Sequence, residues 1–211
     1  MSKNKVITTT TFNGHPVIGE NKTFDYNNKY LQKNQELLDS TISRHNKVMA
    51  VRMDLKYPQN YPDTPSPQHL SRTMQTYTRE LSRDGLDPQY VTRQEQKNST
   101  HPHIHIALLV NASETQRYKH LLQRMAPHWG RAIGVENAEA LVWPCDRRLD
   151  GKPQENGTII RRNAENAQEQ YNKVFKQISY LAKSDPDDVT PSHQRKISYS
   201  RYNRGKSRVK R

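Results

Sequence analysis

Apolar residues in this chain come in short periodic blocks set in a polar background, and the period of each block predicts an element. Within 28–43, Tyr30, Leu31, Leu37, Leu38 and Ile42 recur at helical spacing, which predicts a helix broken by Asn46. Val48-Met-Ala-Val-Arg52-Met-Asp54-Leu-Lys-Tyr57 alternates well enough for a central strand closed by Pro58, with a proline-rich loop after it. Leu70, Met74, Tyr77 and Leu81 predict a helix over 68–82 that Asp84-Gly85 ends. Residues 90–95 and 103–110 then read as an antiparallel hairpin across a polar turn. A helix over 113–128, capped by Ser113 or Thr115, buries Leu121, Leu122 and Met125 and stops at Trp129-Gly130. Two short strands, 141–144 and 157–161, precede a last helix over 164–183. Strands and helices intermixed with antiparallel pairing make the class α+β. Residues 1–24 show no helical period and read as a polar N-terminal arm or weak first strand.

Composition sharpens this picture. Only 32% of the residues are hydrophobic and the mean hydropathy is −1.10, so a folded centre with very polar ends is expected. Thirty-four Lys and Arg against 21 Asp and Glu give a formal charge of +13, the electrostatic footprint of a nucleic-acid binder. Residues 203–211, with Arg204 and Lys206 and no acidic side chain, read as a basic tail that contacts phosphates. The single cysteine, Cys145, excludes an internal disulfide framework and a multi-cysteine zinc ribbon, and fits a reducing cytoplasm. No apolar run reaches the length of a signal peptide or a membrane span, so a soluble cytoplasmic protein without a membrane partner is expected. No internal repeat and no phosphate-cradling glycine loop is present.

The chemistry concentrates in Glu95-Gln-Lys-Asn-Ser-Thr-His101-Pro-His103-Ile-His105-Ile-Ala-Leu-Leu-Val110. Strand alternation puts His103 and His105 on one face and Ile104, Ile106, Leu108 and Val110 on the other. Two imidazoles in an apolar strand add little packing and need polar partners, and Glu95 stands near them across the hairpin. One carboxylate and two imidazoles make a candidate site for a divalent cation with open positions.

The last helix holds the second candidate. At about 100° per residue, Tyr171, Val174, Phe175, Ile178 and Leu181 share a buried face. Tyr180 falls on the opposite side, with Lys173, Lys176 and Lys183 within a turn or two. A phenol is mostly protonated at neutral pH, so nearby positive charge is what would make it a nucleophile toward a phosphodiester. The plainer alternative is a tyrosine on a solvated face among ordinary surface lysines.

Glu95, followed by His103-Ile104-His105 and later by Tyr180-Leu-Ala-Lys183, resembles the HUH endonucleases, the rolling-circle replication initiators that open one DNA strand with a tyrosine. With Val51-Arg52-Met-Asp54-Leu55 and Ser198-Tyr-Ser200-Arg201, the pattern is similar to the replication initiators of filamentous phages and prophages, over about 47–201. The proline-rich insert after Asp54 and the basic tail depart from it. The resemblance implies an RRM-like or palm-like antiparallel sheet of about five strands within 25–202, helices mainly on one face and the site on the other. It implies Mg²⁺ or Mn²⁺ on Glu95, His103 and His105, Tyr180 as nucleophile with Lys183 assisting, and a 5′-phosphotyrosyl intermediate. The partners it implies are single-stranded or origin-hairpin DNA, a host helicase and a polymerase, with Arg52, Lys173, Lys176, Arg201, Arg204 and Lys206 as candidate DNA contacts.

Three other readings remain open on the residues alone. His101, His103 and His105 share one parity, as in histidine-triad nucleotide hydrolases, although Pro102 between them suits only the start of a strand. A non-catalytic DNA-binding regulator would keep the basic surface and bind without cleaving. An RNA-binding module would need an aromatic-rich strand, and the aromatics here are scattered.

Overall fold

A computed structural model describes residues 5–19, 24–97, 100–147, 151–191 and 195–201. Its N-terminal segment is more structured than a polar arm. Strand β1 (Val6–Thr9) is followed by a two-strand hairpin, β2 (Thr11–Phe12) and β3 (His15–Pro16). Asn13 and Gly14 turn that hairpin with positive φ of 49° and 81°, the conformation that an Asn-Gly pair favours. Strand β4 (Phe24–Asn27) pairs back on β1, and Phe12 and Val17 are buried.

Helix α1 (Asn28–Arg44) starts where the Asn27 side chain accepts the amide of Tyr30, and it buries Leu31, Leu37 and Leu38. Strand β5 (Lys47–Leu55) and the proline-rich loop lead to α2 (Pro67–Arg83), which is capped by Ser66 with Pro67 at its first turn. The expected hairpin is present as β6 (Gln89–Glu95) and β7 (His103–Asn111). Helix α3 (Tyr118–Ile133) begins later than the Ser113 and Thr115 caps predict and runs past Trp129, which is fully buried. Gly130 is a close-approach residue and no terminator: a Cβ there would stand 2.4 Å from the Val135 carbonyl oxygen. Strands β8 (Val142–Pro144) and β9 (Thr158–Arg161), helix α4 (Ala167–Ser179) and β10 (Ile197–Tyr199) complete the chain.

The class is α+β as expected. The main sheet is six-stranded and antiparallel, in the order β10-β6-β7-β5-β8, with β9 sharing the β5 edge with β8. At Arg52, between those two strands, the Asn156 amide both accepts the backbone N–H and donates to the carbonyl, standing in for a strand. Helices cover both faces of the sheet, a correction to the expectation of mainly one. Ile104, Ile106, Leu108 and Val110 pack with α2 and α3. Ala107, Leu109, Val48 and Ala50 pack with α1, α4 and the N-terminal strands. Both faces of β7 are therefore buried along most of its length, because each must exclude water beneath a helix layer. Among the described residues no helix is long and apolar enough to cross a membrane.

Candidate active site at one end of the sheet

On the α1/α4 face, charged side chains gather at one end of the sheet, where β6 finishes and β7 begins. Register puts Glu95 opposite His103, and Arg93 opposite His105, which in turn faces Asp54 on β5. Cross-strand partners share a face, so these residues form two adjacent rows. His105, 7% exposed, sits between two carboxylates: Nδ1 is 2.8 Å from Asp54 Oδ1, and Nε2 is 3.2 Å from Glu95 Oε2. Both ring nitrogens can donate only in the imidazolium form. Burial alone would lower the His105 pKa, but the two carboxylate hydrogen bonds raise it. Burial likewise opposes both carboxylates, and the bonds and charge of His105 still hold Asp54 and Glu95 below their ordinary values. His103 lies exposed at the start of β7, where partial desolvation of the ring and the His105 charge lower its pKa.

Tyr180 arrives on a 3₁₀ turn (Tyr180–Ala182) that continues α4, so the helix predicted to Lys183 tightens at its last residues. Its ring meets that of His105 edge to face, centroids 5.3 Å apart, and the Arg52 guanidinium lies 5.1 Å over it. Burial raises the Tyr180 pKa, as does the Glu95 charge. The end of α4 is held by side chains that collect its carbonyls. Arg52 donates to Gln177, Asn34 to Ile178, and Arg93 to Leu181 and Lys183. The carbonyls at a helix's C-terminal end lack a full set of following helical amides, and cations suit its negative end. Arg93 also lies 3.7 Å from Glu95 and 3.9 Å from Asp188, tying the turn that bears Tyr180 to the strand that bears Glu95.

The structure thus brings together Glu95, His103, His105, Tyr180, Arg52 and Lys183. Lys183 Nζ is 5.9 Å from the centre of the Tyr180 ring and pairs with Asp185 at 3.4 Å. Arg52 is buried, with the Tyr180 ring and the Gln177 carbonyl as its partners. Lys173 is exposed on α4 and pairs with Glu169 at 2.9 Å and Glu155 at 3.8 Å, away from the site. Lys176 is half-buried on the same helix. Arg201 is exposed past β10, where Ser200 bonds Tyr90, roughly 17 Å along β6 from Glu95. Arg204 and Lys206 lie outside the described residues. Tyr171, expected in the core, is half-buried at its margin: the ring stacks on Phe175 and the hydroxyl donates to Asp39 in an exposed bond.

Asp54, Arg93 and Asn34 carry site geometry that sequence reasoning did not assign. The signal for Asp54 is a run of charges at period two, Arg52-x-Asp54-x-Lys56, in an otherwise apolar strand. Arg93-x-Glu95 repeats it on β6. Among the described residues no three His, Cys, Asp or Glu side chains are already arranged to hold a metal ion. The donors nonetheless suit a hard divalent cation, and the 3.2 Å between Glu95 Oε2 and His105 Nε2 is close to the spacing of adjacent ligands at about 2.1 Å from one ion.

A family model described as the YagK/YfjJ C-terminal domain matches residues 7–197. No curated protein and no solved structure matches the chain.

Proposed function

The chain belongs to the YagK/YfjJ C-terminal domain family, and we propose that it is a metal-dependent endonuclease that nicks and rejoins single-stranded DNA through Tyr180. The observation that carries this reading is the convergence of one half-buried tyrosine with His105, Glu95, Asp54 and Arg52 at one end of the sheet. The same residues carry the resemblance to rolling-circle initiators of the HUH kind.

In this reading Glu95 and His105, with His103 opposite Glu95 across the hairpin, would hold Mg²⁺ or Mn²⁺. When bound, the ion supplies Lewis-acid polarisation of a phosphate oxygen. Loading it requires His105 to give up the proton it shares with Glu95, so metal affinity rises with pH through the His105 titration. Asp54 then keeps Nδ1 protonated and the imidazole oriented. Arg52 over the phenol ring and Lys183 beside it favour the phenolate against the burial that raises its pKa. Tyr180 Oη forms the bond to phosphorus, the bond from phosphorus to the 3′ oxygen breaks, and that oxygen leaves with the electron pair. It takes up a proton equivalent to the one the phenol lost. The free 3′-hydroxyl can prime a host polymerase beside a helicase, or attack the phosphotyrosine and reseal the strand. A reducing cytoplasm suits Cys145, whose thiol burial pushes up to about 12.

Incubation with 3′-labelled single-stranded oligonucleotides and Mn²⁺ should give a covalent protein–DNA band that His105→Ala lacks. Binding without any adduct would instead support a non-catalytic DNA-binding protein, the second reading, which the formal charge of +13 also fits. A histidine-triad hydrolase has less support, because His101 lies outside β7 with its ring against Tyr57 and Tyr61.

A further inference from the structure

Trp143 is one of three large apolar side chains left exposed among the described residues, at 51%. It stands on the site face of the sheet. Trp143 pairs with Asp54 on β5, and Asp54 with His105 on β7, so the three share one row. The neighbouring Val142 turns the other way, opposite Leu55, into the α2/α3 core. Two strand spacings, about 10 Å, separate the Trp143 position from His105. Lys56 has the parity of Asp54 and holds Nζ 3.9 Å from the centre of the indole ring. It also borders a cleft shared with Tyr57, Gln59, His101 and His103. Lys56 thus joins the exposed ring to the edge of the candidate site.

We propose that Trp143 and Lys56 form a stacking subsite for one unpaired base of single-stranded DNA, beside the phosphate addressed by Tyr180. The proposal rests on the nuclease reading above and names a part of the surface that would hold the strand. An indole face takes any base, because every base presents a π-face, and only an unpaired base is free to use it. The ammonium supplies charge for the adjoining phosphate, so binding moves Lys56 from the ring to the backbone and puts the base in its place. An exposed tryptophan held in register with the site, with a cation over it, meets both requirements of a single-strand subsite.

The two tryptophans of the chain make the test direct, because Trp129 is fully buried and only Trp143 meets solvent. A labelled oligodeoxythymidine titrated into the full chain is followed both by anisotropy of the label and by tryptophan emission. Binding should quench the wild type and leave the emission of Trp143→Phe unchanged. Trp143→Ala should weaken single-strand binding roughly 5- to 100-fold, with an unaltered melting curve, while Lys56→Ala should lower the log-log salt slope by about 0.7. An abasic residue at one position should weaken wild-type binding and leave Trp143→Ala indifferent. Anisotropy showing tight binding with unchanged Trp143 emission, or with Trp143→Ala affinity equal to wild type, would overturn the subsite and leave the nuclease reading standing. Quenching by duplex or by the matching oligoribonucleotide alone would also overturn it. No binding of any oligonucleotide would remove both.

Discussion

Tyr180 and His105 meet edge to face, with ring centroids 5.3 Å apart and planes at 84°, although 75 residues separate them in the chain. The contact joins the end of α4 to the first turn-proximal residues of β7, and its geometry depends on groups from three further elements. Arg52 of β5 lies over the phenol, Arg93 of β6 holds the Leu181 and Lys183 carbonyls that follow it, and Asn34 of α1 holds the Ile178 carbonyl two residues before. A tyrosine fixed by so many backbone contacts loses little order when its hydroxyl is removed.

Tyr180→Phe should therefore change stability by about 1 kcal/mol or less and abolish the covalent DNA adduct. Tyr171→Phe loses only the exposed bond to Asp39 and should keep the adduct. Mass spectrometry of trapped protein decides between them. A nucleotide found on Tyr171 would refute the assignment.

Arg93 is the bridge between the nucleophile turn and the acid strand. Its guanidinium reaches two carbonyls and two carboxylates while remaining only 6% exposed as a residue. Arg93→Ala leaves Glu95 and Asp188 buried with less counter-charge, and should cost about 3–5 kcal/mol in thermal or urea unfolding. Arg93→Lys restores the charge, but one ammonium cannot span the same partners. It should recover part of the stability while the single-turnover rate of adduct formation stays low. Wild-type rates in Arg93→Lys would show that the bridge does not position Tyr180.

Much of this site was legible because strand periodicity is local. His103 and His105 against Ile104 and Ile106 follow from alternation alone, and the register that sets Glu95 opposite His103 follows from the hairpin. The helix faces separated Tyr171 from Tyr180 for the same reason. The partners of Tyr180 were not legible, because they come from elements distant in sequence. Nothing near Tyr180 announces Arg52 or Arg93, and the lysines expected around it are spread along α4, with Lys173 paired to Glu169 and Glu155. Asp54 sits within Val51-Arg52-Met-Asp54-Leu55, but its partner His105 is 51 residues away and nothing local announces the contact. Trp129-Gly130 read as a helix end because glycine is ambiguous: it ends helices by its freedom at positive φ and continues them where another chain segment comes too close for a Cβ.

Beside the site a second ion-pair cluster ties down the segment after Tyr180. Asp185 is buried, with Lys97 at 2.5 Å and Lys183 at 3.4 Å. Burial opposes its charge, yet the Lys97 hydrogen bond, the Asp187 backbone N–H and the Lys183 charge hold the pKa down to about 2 from 3.8. A depressed folded-state pKa stabilises the protein above the unfolded value, and that contribution disappears as the pH falls from about 4 through about 2. Asp185→Asn should be less stable than wild type at neutral pH, and the gap between their melting temperatures should close across that acid window. A gap independent of pH would assign the loss to something other than the ion pairs.

The basic segment 203–211 gives a prediction in which charge and catalysis separate. Arg204, Lys206, Arg208, Lys210 and Arg211 carry five positive charges in nine residues, and each phosphate they neutralise on a single strand releases counterions. Deleting 203–211 should lower DNA affinity and flatten the log-log salt dependence by up to about 3.5 units, at roughly 0.7 per lost contact. The adduct formed at saturating DNA should persist, because Tyr180, His105, Glu95 and Asp54 all lie before the deletion. Affinity measured by anisotropy across a series of salt concentrations, with adduct yield at the highest DNA concentration, reads both effects in one preparation. Equal slopes for the full and shortened chains would mean that these charges never meet the phosphates, and the electrostatic contribution would then belong to the sheet face around Lys56.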